Sequence, residues 1–181
     1  MPTAENTPLV VPVLAQALLA RPLEYIAADH ERHRAVCEYL AKAAEAAAID
    51  GVSAKRIARF LTDDLHHHFE DERLSLHPLL RQRSHGDDDF IHALLRIEEA
   101  HAISETAIDD ISAELTRLSH QSTARLSDKF CASLREYALR ERENLAFENA
   151  VIRVISEVRL KKGDVDRISA EMKLRRGAAA S

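Results

Sequence analysis

The sequence predicts an all-α fold: an up-down four-helix bundle with an N-terminal arm and a short C-terminal helix. Three observations predict it. Apolar residues recur at about 100° per residue over long segments, and the joints between those segments are short and polar. The composition also points to helices, with only four Gly and five Pro among 181 residues, 46% hydrophobic and 30% charged. Strand signals are scarce, and the length suits one domain that buries a real core.

Pro22 opens the first helix, because proline is well placed in a first turn, and the segment runs to about Ala48, before Asp50-Gly51 stops it. Ser53 is the expected cap of the second, which continues to about Arg83 and closes in "SHGDDD", where Gly86 breaks the helix. Aspartates there favour a new helix N-terminus, so the third helix is expected from about Asp88 to Leu118. After "SHQST" the fourth extends from about Ala124 to Leu160, and "KKGD" ends it. A short basic helix from about Val165 to Arg175 precedes the small-residue stretch "GAAAS". The expected organisation is an arm over residues 1–20, the bundle with its short helix over 21–176, and a tail over 177–181.

A net charge of -5 and a pI near 6.1 give no pull towards polyanions, so nucleic acid and acidic membrane are poor partners. Cys37 and Cys131 form no C-x-x-C pair and read as small core residues rather than a disulfide or thiolate metal knuckle. The run "TPLVVPVLAQALLARP" superficially resembles a signal peptide but lacks a basic leading region and carries prolines. No stretch approaches the ~20 apolar residues of a membrane span. The expected location is the cytoplasm.

The inward faces carry the chemistry. "DLHHHFEDERLSLHPLL", Asp64 to Leu80, places four of ten histidines in a short span. In helical projection the second-helix stripe is Ile57, Leu61, Leu65, Leu76 and Leu79, with His68 at its centre and Glu72 one turn further on. His66 and His77 project outward and His67 lies on the flank, so all three are expected at the surface. On the first helix His30 falls among Leu23, Ile26 and Cys37, with His33 towards the edge. On the third, His101 is centred among Leu94, Ile97 and Ile108, with Glu98 and Glu105 near the same stripe and His92 outside. The fourth-helix stripe of Phe130, Leu134, Tyr137 and Ile152 also contains Glu141, Asn144 and Glu148.

A single inward histidine is usually a hydrogen-bonded core residue, and a single inward Glu often bends out to water. Several ionisable groups meeting halfway along four helices are different, because each costs several kcal/mol unless paired or neutralised. A bound cation supplies that compensation; a structural hydrogen-bond network is the alternative.

The residues "DHERHR", "HFEDERLSLHPLL", "EEAHAISE" and "NLAFENAVI" on successive helices resemble the hemerythrin-like, or HHE cation-binding, family, from about Arg21 to Arg176. The resemblance implies a hemerythrin-like four-helix bundle holding two non-haem irons with an oxo or hydroxo bridge, and a role in binding oxygen or nitric oxide or in sensing iron or redox state. Carried over, it implies that His30 and His68 ligate one iron and that Glu72 and Glu148 bridge to a second. That second iron would take His101, the residue one turn later and a fourth-helix His.

Here the chain departs from the pattern, with Glu105 one turn after His101 and Asn144 at the fourth-helix position. Asn is a weak neutral oxygen donor, so the second position is short of imidazole. Three outcomes stay open: an oxygen-rich site completed by Glu98, Glu105 or Glu141; one metal held on the His30 and His68 side; or a degenerate site. His33, Tyr25 and Tyr137 lie near enough to the inward faces to approach it. A more carboxylate-rich site favours the ferric state over reversible oxygen carriage.

Two rival classes remain. A ferritin-like di-iron oxidase uses two Glu-x-x-His pairs; Glu98 to His101 matches one, whereas Glu141 to Asn144 has the spacing without the imidazole. A metal-free bundle would instead engage a protein partner through charges such as "RLKKGDVDRISAEMKLRRG". Nothing marks a hydrolase: no Gly-x-Ser-x-Gly elbow, phosphate-cradling Gly loop or H-E-x-x-H is present. The balance favours a binding or sensing protein over an enzyme, with the oligomeric state open.

Overall fold

A computed structural model describes residues 8–177, apart from 85, 87 and 88. The first seven residues of the expected arm, the expected third-helix start at Asp88 and all but Gly177 of the expected tail lie outside the described residues. Four long helical runs and one shorter helix make up the fold. Helix α1 is Pro22–Ala46. Helix α2 spans residues 51–83 as one run interrupted by two π-helical turns, Phe60–Asp64 and Asp71–Leu76. Helix α3 is Phe90–Leu118. Helix α4 spans 128–159 with a third π-helical turn at Glu148–Ile152, and α5 is Lys162–Arg175. In the bundle α1 packs on α4, and α2 on α3.

The joints differ from the expected ones in instructive ways. Helix α1 stops at Ala46, because Ala47 enters the left-handed region at φ 49°. The next three residues, Ala48–Asp50 (β1), pair antiparallel with Thr123–Arg125 (β2), with Ile49 opposite Ala124. The fourth helix therefore begins at Asp128 rather than Ala124, where the Ser127 hydroxyl accepts from the Phe130 N–H at 3.2 Å. Asp50, not Ser53, caps α2: its carboxylate accepts from the Ser53 N–H at 2.8 Å. The Ser53 hydroxyl instead accepts from the Leu9 N–H at 2.9 Å, which holds the segment around Leu9 against α2. Gly51 is required at this joint, because a Cβ there would meet the Gln121 carbonyl oxygen at 2.1 Å and that of Ser119 at 2.7 Å.

Helix α5 closes the other end. It buries Ile168 and Met172, and the Ser169 hydroxyl donates to the Leu19 carbonyl at 2.7 Å, fixing the short 3₁₀ segment Gln16–Ala20. Two ion-pair clamps hold it to α2. Arg83 reaches both oxygens of Asp164 at 2.9 Å. Arg175 and Arg176 converge on the buried Asp71 at 2.8 and 2.6 Å. Two arginines of the basic C-terminal stretch, Arg175 and Arg176, thus face into the fold rather than towards a partner.

The apolar core is two clusters rather than one. The first gathers Val36, Leu40, Ile57, Leu61, Leu65, Ile108, Leu115, Leu134 and Tyr137 around the β1–β2 end, with Cys37 and Cys131 buried as free thiols. The second gathers Leu19, Ile26, Leu79, Leu94, Ile97, Ile152 and Met172 at the α5 end. Between them lies a layer of buried polar side chains, one group from each long helix.

Gly51→Ala should destabilise the fold by about 2 kcal/mol, because the joint must open to admit the methyl group; denaturant unfolding measures it. Asp164 is held below the ordinary carboxylate range by Arg83 and the Lys161 N–H. A carboxyl depressed in the folded state contributes stability above its unfolded pKa of 3.8 and loses it as pH falls further. Asp164→Asn should therefore lower the unfolding midpoint at pH 7, and the gap from the parent protein should close on acidification below pH 3.8.

Candidate metal centre

The polar layer is built halfway along each helix. Helix α1 contributes Asp29, His30, Arg32 and His33; α2 contributes His68, Asp71 and Glu72; α3 contributes His101 and Ser104; and α4 contributes Glu141, Asn144 and Glu148, all buried. One potential ligand atom from each of His30, His68, Glu72 and Glu148 lies within 4.8 Å of the other three. The Nε2 of His30 is 3.3 Å from a Glu148 oxygen and 3.6 Å from a Glu72 oxygen. The Nε2 of His68 is 3.7 Å from the other Glu72 oxygen. His101 joins the edge of this group, its Nε2–H donating to Glu148 at 2.6 Å with Glu72 at 3.5 Å.

Two features of the backbone make this possible. Glu72 and Glu148 each lie in a π-helical turn, the first two residues into Asp71–Leu76 and the second opening Glu148–Ile152. A π turn inserts an extra residue per turn and recurs at functional sites, where it re-aims side chains. The other ring nitrogens are oriented from behind. His30 donates Nδ1–H to the Asn149 side-chain oxygen at 3.1 Å, and Asp29 faces the Nδ1 of His68 at 3.8 Å while Arg32 grips Asp29 at 2.6 Å. The Asn149 contact fixes the His30 tautomer and leaves its Nε2 facing the cluster, whereas His68 Nδ1 is buried with no hydrogen-bond partner.

The electrostatics fit a cation. Burial disfavours charge on every member, yet the facing carboxylates Glu72 and Glu148 raise His30 to about 9, and Glu148 raises His101 to about 9. Burial would raise Glu72, but the imidazoles of His68, His101 and His30 hold it well below the ordinary carboxylate range. Burial pulls His68 down to about 3 despite Glu72. Protons therefore neutralise the carboxylates here, and the neutralisation is incomplete: His30 Nε2 and Glu72 Oε2 are buried with no hydrogen-bond partner. Two imidazoles and two carboxylates with unspent lone pairs are a donor set suited to a first-row transition metal.

The predicted residues divide. His30, His68, Glu72, His101 and Glu148 converge. Asn144 is buried near them, but its amide N–H points to Glu141 at 3.4 Å. Glu105 does not reach the layer: its half-exposed carboxylate pairs with Arg73 at 3.2 Å, because one turn beyond His101 the inward place belongs to Ser104. Ser104 donates to the buried Glu141, whose pKa burial raises to about 7. Glu98 turns the other way, to His77 and Arg81. His33 is buried rather than at the edge, hydrogen bonded to the Tyr137 hydroxyl at 2.9 Å, and burial holds it well below the ordinary histidine range. Tyr25 is buried with Arg176 over its ring. His66 is exposed and His67 half-buried, its Nδ1 bonded to the Asp63 carbonyl.

His77 corrects the projection. Expected at the surface, it is 0% exposed, and it lies directly after the π-helical turn Asp71–Leu76. Asn149 was also missed. The signal for both was an amide or imidazole close after an inward carboxylate, readable only once the π turns are known.

A helical bundle with a buried histidine-carboxylate centre is a cation-binding class of protein. The family model described as hemerythrin HHE cation binding domain matches residues 21–147, and the chain belongs to that family. The match stops one residue before Glu148, so the placement of Glu148 rests on geometry. No curated protein and no solved structure matches the chain. Among the described residues no helix is long and apolar enough to cross a membrane.

Asn149→Ala frees the His30 ring to rotate and should weaken metal affinity about 10- to 100-fold while leaving helicity intact. Metal titration followed alongside circular dichroism checks both halves.

Proposed function

We propose that the chain is a non-haem iron protein that holds two irons with an oxo or hydroxo bridge, binds oxygen or nitric oxide, or senses iron or redox state, in the cytoplasm. The observation that carries this reading is the group of four buried ligand atoms with two of them, on His30 and Glu72, unpartnered. His30 and His68 would hold one ion by Nε2. Glu72, whose oxygens face His30, His68 and His101, and Glu148, whose oxygens face His30 and His101, would be the carboxylates shared with a second ion. Iron bound there supplies one-electron redox change and open coordination for a small ligand.

The chain's own residues do the rest. Asn149 orients the His30 ring, and the Asp29 carboxylate faces His68 Nδ1 at 3.8 Å. Phe69, buried and 4.5 Å from His101 ring to ring, covers the layer from the apolar side. The burial of every member favours a diatomic ligand over a bulky substrate, which supports binding or sensing rather than turnover. Glu105 pairs with Arg73 away from the layer, and the buried Glu141 accepts from Ser104 and Asn144.

The rivals fare worse on specific contacts. A ferritin-like pairing of Glu98 with His101 loses its Glu, which is turned to His77 and Arg81. A metal-free bundle leaves unpartnered donor and acceptor atoms in its core without compensation.

Metal analysis of tag-free protein, with ultraviolet-visible spectra before and after air exposure, tests the reading. About two irons per chain and near-ultraviolet oxo-bridge bands are expected, with both lost in His68→Ala. No metal after anaerobic reconstitution with ferrous ion would overturn it.

A further inference from the structure

One buried imidazole stands outside the group described so far. His77 follows directly on the π turn that carries Glu72 and is 0% exposed. Its Nδ1–H donates to Glu98 Oε1 at 3.2 Å, and Arg81 holds the other oxygen of that carboxylate. Its Nε2 is buried and has no hydrogen-bond partner. The ring lies nearly parallel to that of His101, at 14°, with centroids 6.3 Å apart.

We propose that His77 is a metal ligand, supplying beside His101 the imidazole that Asn144 does not bring to the second metal position. The inference rests on the metal-binding reading above. An imidazole nitrogen buried with no hydrogen-bond partner bears a desolvation cost that no protein contact repays. A carboxylate on Nδ1–H is the arrangement that fixes the tautomer with Nε2 unprotonated and strengthens it as a donor. Metal to imidazole bonds are about 2.0–2.1 Å, so two imidazoles on one ion keep their centroids within about 6.5 Å, and the observed separation falls inside that span. The alternatives at this level are already engaged: Glu105 by Arg73, and Glu141 by Ser104 and Asn144.

The test uses the full chain, stripped of metal and titrated anaerobically with cobalt(II) as a paramagnetic probe. The parent protein should take two equivalents and show shifted exchangeable imidazole N–H resonances from His30, His68, His101 and His77. His77→Phe, which keeps a planar ring of similar size, should retain the first equivalent, weaken the second by at least about tenfold and lose one shifted resonance. His77→Gln provides a second variant, and the resonances of the parent protein decide the matter if neither variant folds. Unchanged binding of the second ion in the variants, or no shifted His77 resonance in the parent, overturns the proposal. Uptake of a single ion by the parent overturns it too, while leaving the His30 and His68 side intact. Uptake of none removes the metal reading itself.

Discussion

The structure depends on a layer of ionisable side chains that cuts the hydrophobic core in two. Each long helix is apolar at both ends of its inward face and polar in the middle, so the two clusters meet the layer from either side. Burying several imidazoles and carboxylates together opposes folding, since every charge gives up hydration and only well-placed partners return it. The chain limits the cost with protons on His30 and His101 and with a rim of ion pairs, Asp29 with Arg32 and Asp71 with Arg175 and Arg176. Apolar residues at the same positions would pack one continuous core, so the layer has a use other than stability.

Backbone irregularity and donor geometry are coupled here. The π turns widen α2 and α4 where they cross the layer and present Glu72 and Glu148 from opposite sides of the bundle. The same turn in α2 puts Asp71 towards α5 and His77 towards α3, so one local insertion serves the cluster, the C-terminal clamp and the Glu98 contact at once. Helix α5 is tied through Asp71 to the residue next to Glu72. That tie braces the α2 wall of the layer.

Much of this was legible in the sequence, because helical period is a strong signal. Pro22, the break around Gly86 and the apolar stripes gave the four helices, and the same projection turned His30, His68, Glu72, His101 and Glu148 inward, where the structure places them. The failures have separate causes. A projection at constant pitch cannot carry a residue across a π turn, so His77 was assigned to the outside. Glu105 sat close to the stripe in angle, but a nearby arginine offered it a partner with water still at hand. His33 was read as an edge residue because its partner, Tyr137, lies 104 positions away and only tertiary packing brings it near. The β1–β2 pair is too short for a periodic signal, and Ser53, the expected cap, accepts from the Leu9 N–H with its hydroxyl while Asp50 caps the helix.

If the polar layer exists to hold a cation, its metal must return stability that the protonated cluster does not. Thermal unfolding of metal-stripped protein, with and without ferrous ion under anaerobic conditions, is the most direct measurement. Ion in about thousandfold excess over its dissociation constant contributes about 4 kcal/mol, which for a chain of this length raises the midpoint by roughly 10 °C. A rise of that size, absent in Glu72→Gln, is the result the account predicts. Identical midpoints with and without the ion would mean that the layer is a self-sufficient hydrogen-bond network and would contradict it.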